Sequence, residues 1–171
     1  CAGGAALALG IAPEIVAEGL TNSSGVRGRC EVLYSKKFTV ICDFAHTADG
    51  IEKILSGLAP FVRGRLYVLF GCAGERDATK RHAMARASLK YADEIILTSD
   101  NPRSENPYHI LEDAESVLRT GGKPYIVEVE RRRAITKALA LLGEGDLLVL
   151  CGKGHEDYQA IDGVTIYLDE H

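Results

Sequence analysis

From about residue 30 onward, short apolar runs alternate with stretches whose apolar residues recur at helical spacing, and few folds accept that alternation. The runs LYVLFG, EIILT, PYIVEV and DLLVLCG read as strands. Between them, residues 50–61, 78–91, 107–119 and 131–142 read as helices; the first places Ile51, Ile54, Leu55 and Leu58 on one face. Strands that are apolar almost throughout must be buried on both faces, and strand–helix alternation joins them by right-handed crossovers. The expected fold is α/β: a Rossmann-like, open, mainly parallel sheet with helices on both faces. CEVLY and FTVICDF, separated by Ser35-Lys36-Lys37, read as a strand pair with a tight turn, and VTIYL as a further edge strand.

The first residues differ. CAGGAALALG reads as the end of one helix, and Pro13 opens a short second one carrying Ile15, Val16 and Leu20. The pair has no core of its own, and the polar segment TNSSGVRGR that follows is the expected boundary.

In an open parallel sheet, ligands bind beyond the C-terminal ends of the strands. Every chemically rich segment here follows a strand: DFAHTADG, GCAGERDATKR, SDNPR and CGKGHEDYQ. Polar turns are common, but four of them bring both signs of charge to one rim, which suits a zwitterionic small ligand. The glycines of GCAGERD could let backbone amides cradle an anion, although the spacing fits neither a dinucleotide fingerprint nor a Walker A loop. In SDNPR, Pro102 holds an extended turn and Arg103 offers a fork that can grip a carboxylate. Gly152 and Gly154 permit close backbone approach.

Composition removes other classes. A net charge of -4 gives no basic footprint for nucleic acid. No apolar run reaches membrane-spanning length. The five cysteines, Cys1, Cys30, Cys42, Cys72 and Cys151, are scattered without a Cys-x-x-Cys pair, so no zinc site is expected and a reducing, cytoplasmic location is. His82, His109 and His171 read as surface residues. No nucleophilic constellation is identifiable by spacing.

The four loops also resemble a known family. DFAHTADG resembles the D-Y-A-H-T-P-D-G/A segment of Mur ligases, and GCAGERDATKR resembles their G-C-G-G-D/E-R-D-x-x-K-R. SDNPR and GKGHEDYQ match D-N-P-R and G-K-G-H-E-D-Y-Q, and GVRGRCE resembles a G-V-P-G-R-F-E junction. The combination is that of the UDP-N-acetylmuramoyl-tripeptide synthetases, the MurE family, and the resemblance covers the whole chain. It implies that residues 1–27 are the tail of a central ATP-binding domain. Residues 28–171 would be the C-terminal amino-acid-binding domain, and the chain a fragment, inactive alone and with no catalytic residue of its own.

The implied reaction activates the D-glutamate carboxylate of UDP-MurNAc-L-Ala-D-Glu with ATP and Mg2+, which other domains bind. The amine of meso-diaminopimelate then forms the amide. By the same resemblance Arg76, Asp100, Asn101, Pro102, Arg103, Gly152 and Glu156 bind the amino acid. Arg103 would take its distal carboxylate, and Glu156 with the Gly152 carbonyl its distal ammonium. Arg29, Asp43 and His46 would face the nucleotide. No metal ligand, nucleic-acid partner or membrane contact is implied, and a monomer is expected. The alternatives are a relative that adds another amino acid such as L-lysine, which D-N-P-R argues against, and a free-standing amino-acid-binding module. Four positions depart from the family pattern. Phe44 loses a hydroxyl, Ala48 loosens a turn, Ala73 constrains the backbone, and Cys30 reads as a packing change.

Overall fold

A computed structural model describes residues 2–171, so Cys1 lies outside the described residues. Two helices come first, α1 (Ala2–Ala8) and α2 (Pro13–Thr21), with Pro13 at the first helical turn as its fixed φ favours. They pack on each other and bury none of their residues, leaving Leu7, Leu9, Ile11, Ile15 and Leu20 exposed.

The remainder is built on six strands: β1 (Glu31–Ser35), β2 (Thr39–Asp43), β3 (Leu66–Cys72), β4 (Glu94–Ser99), β5 (Tyr125–Glu128) and β6 (Leu147–Cys151). Their order across the sheet is β1-β2-β6-β3-β4-β5. Only β1 runs antiparallel, paired with β2 through the turn expected at residues 35–37; all other pairings are parallel. Every residue of β3, β4 and β6 is buried, which is why they read as unbroken apolar runs.

Side chains alternate across the sheet and build two cores. Leu66, Val68, Phe70 and Cys72 join Ile51 and Leu55 of α3 (Ala48–Leu58), Met84 and Ala85 of α4 (Thr79–Tyr91), and Ile110 and Leu111 of α5 (Pro107–Leu118). Tyr67 and Leu69 point to the other face, where Ala134 and Ala138 of α6 (Arg131–Leu141) cover them. Helices therefore lie on both faces, as expected. The helix predicted over 50–61 ends at Leu58 and gives way to a 3-10 turn, Ala59–Phe61, at Pro60.

One expectation is corrected. The strand at 164–168 does not join the sheet edge. It forms β8 (Val164–Tyr167), paired only with β7 (Tyr158–Ile161) in a separate hairpin. Asp162 and Gly163, at φ 48° and 74°, make the two-residue turn that twists such a hairpin correctly.

Residues 168–171 return to the segment that enters the sheet. Arg27 Nη2 pairs with Asp169 Oδ2 at 3.0 Å, and His171 bridges Glu31 at 2.9 Å and Asp169 at 2.8 Å. His171 is thus anchored rather than free on the surface. Burial pulls its pKa down, but the hydrogen bonds its ring donates to Glu31 and Asp169 outweigh that and raise it above 6.5. A raised folded pKa means that its contribution to stability is complete below pH 6.5 and disappears as pH climbs through the folded value. Asp169 is held down at about 2 by the His171 amide and ring and by Arg27, so its share is lost only in strong acid, as pH falls below 3.8. Amide exchange across 168–171 is expected to be slower at pH 6 than at pH 8.5, after correction for intrinsic rates. Equal protection at both would remove His171 as an anchor.

Candidate functional site

Strands β2, β6, β3 and β4 are consecutive neighbours, so the loops leaving their C-terminal ends are neighbours too. Residues 43–49, 71–77, 99–103 and 151–157 accordingly share one rim. They enclose a cavity of about 390 Å³, within the range of small-molecule sites. Arg76, Asp100, Asn101, Arg103, Gly152 and Glu156 all line it, as does His46. Pro102 is buried behind the wall, and Arg29 and Asp43 lie outside it.

One end of the cavity is organised by a residue that the sequence did not single out. Lys153 is fully buried, and its ammonium lies 3.2 Å from Asp100 Oδ1, 2.6 Å from Asn101 Oδ1 and 3.3 Å from Glu156 Oε2. Asn101 Nδ2 in turn donates to Glu156 Oε2 at 3.3 Å. The knot fastens the 99–103 loop to the 151–157 loop. Two carboxylates against one ammonium leave one negative charge at this end, suited to a ligand cation. Gly152, at φ 115°, adopts backbone that a side chain would strain, and a Cβ there would lie 3.2 Å from Asp100 Oδ2.

Cations line the cavity as well, beside Asp77. Arg76 and Lys80 line it and form no ion pair among the described residues, whereas Arg81 is buried against Glu105 and Asp113 at 2.7 and 2.8 Å. Arg103 sits at φ 56°, with its amide on the Ala160 carbonyl and its carbonyl accepting from the Asp162 amide, so β7 and the turn that follows fix its backbone. Its Nη1 donates to the Gly74 carbonyl at 2.8 Å, leaving Nε and Nη2 without a partner among the described residues. A Cβ on Gly74 would come within 2.0 Å of the Pro102 carbonyl oxygen, so only glycine lets these two loops touch.

The anion cradle expected in GCAGERD is absent at two of its amides. Gly74 N donates to the Asn101 carbonyl at 2.9 Å and Glu75 N to Glu105 Oε2 at 3.0 Å. Ser104 donates its hydroxyl and its amide to Glu75 Oε1, so this loop serves to brace its neighbour. Cys72 reaches the cavity, but burial and the nearby Asp100 push its thiol up to about 12, which leaves no thiolate nucleophile. Among the described residues no group of three His, Cys, Asp or Glu could hold a metal ion.

Beside the cavity, Arg29 lies 4.5 Å above the Phe44 ring, which also meets His46 and His155 at 4.8 and 5.2 Å between centroids. A tyrosine hydroxyl is not needed in that stack. Asp43 uses both oxygens internally, accepting from the Cys30 amide and the Ala45 amide, each at 2.8 Å. Ala48 is the first residue of α3, behind a Thr47 cap that accepts from Gly50 N, so the helix starts without proline. Ala73 is not among the residues with positive φ, so its Cβ costs nothing there. Cys30 is exposed at φ 47°, which makes it a turn residue and corrects the expectation of a packing change.

The fold and site define a class: an open-sheet α/β domain with a cavity lined by charges of both signs at the C-terminal edge of its sheet. The family model described as "Mur ligase, glutamate ligase domain" matches residues 28–154, and the chain belongs to the Mur ligase family. It is 48% identical, over 98% of its length, to a UDP-N-acetylmuramoyl-L-alanyl-D-glutamate–2,6-diaminopimelate ligase of Gloeobacter violaceus. It is 47% identical, over 93% of its length, to the ligase of the same name from Aquifex aeolicus. The chain spans 34% and 33% of these relatives, about a third of each. A solved structure of a ligase bearing that name superposes with a TM-score of 0.80 at 36% identity, covering 98% of this chain and 34% of its own. A UDP-N-acetylmuramate–alanine ligase from Thermotoga maritima shares the fold, with a TM-score of 0.66 at 22% identity over 90% of this chain and 33% of its own.

Proposed function

We propose that residues 28–171 are the amino-acid-binding domain of a ligase that joins meso-diaminopimelate to UDP-MurNAc-L-Ala-D-Glu during peptidoglycan synthesis. Residues 1–27 are then the tail of its ATP-binding domain. The observation that carries this reading is that one cavity brings together Arg103 and Arg76 with Asp100 and Glu156 of the Lys153 knot, so that a cation and a carboxylate can both reach charges borne by a single carbon. A diamino diacid presents an ammonium and a carboxylate at each end. In this reading Arg103 grips the distal carboxylate, and Glu156 with the Gly152 carbonyl receives the distal ammonium. The other amine is thereby held toward the open side, where an activated carboxyl can meet it. Asn101 and Asp100 fix Glu156 through Lys153, and Pro102 backs Gly74; neither role needs a moving part.

The residues present suit only a minor share of nucleotide binding. Arg29 has no carboxylate partner among the described residues and is free to meet a phosphate, and His46 borders both the cavity and the Phe44 stack. Asp43, with both oxygens on backbone amides, is better fitted to hold the 28–31 turn than to hold a ribose. ATP, when bound, supplies the energy that activates the acceptor carboxylate, and nothing in these residues would hold its Mg2+. A soluble, cytoplasmic monomer fits the reaction, and no described helix is long and apolar enough to cross a membrane.

The test compares two preparations. The protein of the complete reading frame is expected to form UDP-tripeptide with meso-diaminopimelate and far less with L-lysine. The 171 residues alone, which contain no Walker A sequence, are expected to hydrolyse no ATP. Equal turnover with both amino acids would sink the specificity. A start codon at the beginning of this segment, with no P-loop upstream, would favour a free-standing binding module.

A further inference from the structure

Arg131 opens α6 and is fully buried. Its guanidinium meets the sheet edge from behind the cavity. Nη2 donates to the Cys151 carbonyl at 2.8 Å, Nη1 to the Ser99 carbonyl at 3.4 Å, and Nε to Glu170 Oε1 at 2.5 Å, with both charged side chains fully enclosed. Ser99 ends β4 and Cys151 ends β6, so the next residues along the chain are Asp100 and Gly152.

β4 and β6 are not neighbours, because β3 separates them. The β3–β6 ladder stops at Leu69 and Leu150, whereas the β3–β4 ladder continues to Cys72 and Ser99. Beyond Leu150 the sheet therefore opens between β6 and β3, which is where the cavity lies, and no ladder bond sets the width of the opening. Arg131 spans it. A buried arginine needs several partners, and this one finds a counter-ion in Glu170 and two strand-end carbonyls on opposite sides of the gap.

We propose that Arg131, with Glu170 as its counter-ion, is a positioning residue that fixes the separation of the 100–103 and 152–156 segments. It rests on the reading that these segments grip the two charges at the distal end of one diamino acid. The span between those segments decides whether both charges can be held at once, and misplacement by about an ångström is enough to cost on the order of a hundred-fold in rate. Arg131 does not itself line the cavity, so it acts through the two strand ends and through its charge near Asp100.

Arg131→Lys in the complete enzyme is the primary test, because it keeps a cation opposite Glu170 while a single ammonium cannot bridge both carbonyls. KM for meso-diaminopimelate is expected to rise roughly ten-fold or more, with KM for ATP held within roughly two-fold. A merely structural role would reduce the active fraction, and so kcat, at unchanged KM; that pattern overturns the proposal. Should the lysine variant be too unstable to assay, Arg131→Met with Glu170→Leu removes both buried charges and leaves neither stranded. The same rise in KM is expected from it, and a parental KM overturns the proposal. Arg103→Ala is run beside them. If it too has parental kinetics, the amino-acid reading of the site falls; if it alone is impaired, only the role of Arg131 falls.

Discussion

Replacing Arg103 by alanine in the complete enzyme is expected to lower kcat/KM for meso-diaminopimelate by roughly ten- to a hundred-fold or more. The basis is a charged, two-pronged hydrogen bond worth about 1.5–3 kcal/mol. Nη1 already serves the Gly74 carbonyl, so the substrate fork consists of Nη2 and Nε, the pair without partners among the described residues. Alanine isolates the side chain cleanly: the backbone at φ 56° is equally strained with either residue, so the comparison excludes conformational relief. Lysine at this position should recover only part of the loss, because one ammonium cannot serve the Gly74 carbonyl and a carboxylate in the same geometry. L-lysine as substrate offers no distal carboxylate, so its already poor kcat/KM should change little. Lys36→Ala, in the exposed turn between β1 and β2, should alter neither ratio. Equal losses for both amino acids would show that Arg103 merely braces Gly74.

The largest effect on stability is expected at Lys153. Lys153→Met removes the buried ammonium that Asp100 and Glu156 share and leaves the two carboxylates beside each other at the cavity wall. Breaking a buried ion pair from one side costs about 3–5 kcal/mol, equivalent to a fall in Tm of roughly 10 °C for a chain of this size. Adding Glu156→Gln to the same chain removes one stranded carboxylate and should return part of that loss, without returning affinity for the diamino acid. Urea unfolding of the parent, the single and the double variant measures both steps. A single variant within about 0.5 kcal/mol of the parent would mean that the ammonium is not what holds the two loops together.

Much of this architecture was legible in the chain because burial on two faces leaves a plain mark. β3, β4 and β6 are apolar at nearly every position, and the parallel order with both helix layers followed from them. The rim was legible for a topological reason, since loops after parallel strands must share an edge. The β7–β8 hairpin was missed although it carried a signal: Asp162-Gly163 between Ile161 and Val164 is the dipeptide that a tight hairpin turn prefers. Lys153 lay within the matched G-K-G-H-E-D-Y-Q run, but nothing in the sequence marked it, or Arg131, as buried. Lysine and arginine are solvated by default, and their burial depends on partners 53 and 52 residues away or at 39 residues' remove, such as Asp100, Asn101 and Glu170. The cradle reading of GCAGERD failed for the converse reason. Glycines signal close approach but not what approaches, and here it is the Pro102 carbonyl rather than an anion.

The most direct test of the central claim is a structure of the complete enzyme with meso-diaminopimelate bound. The distal carboxylate is expected within hydrogen-bond distance of Arg103, and the distal ammonium within reach of Glu156 and the Gly152 carbonyl, with Lys153 still buried between Asp100 and Glu156. An amino acid bound in the reverse sense, or seated against Arg29 and His46 with the cavity left to solvent, would contradict it.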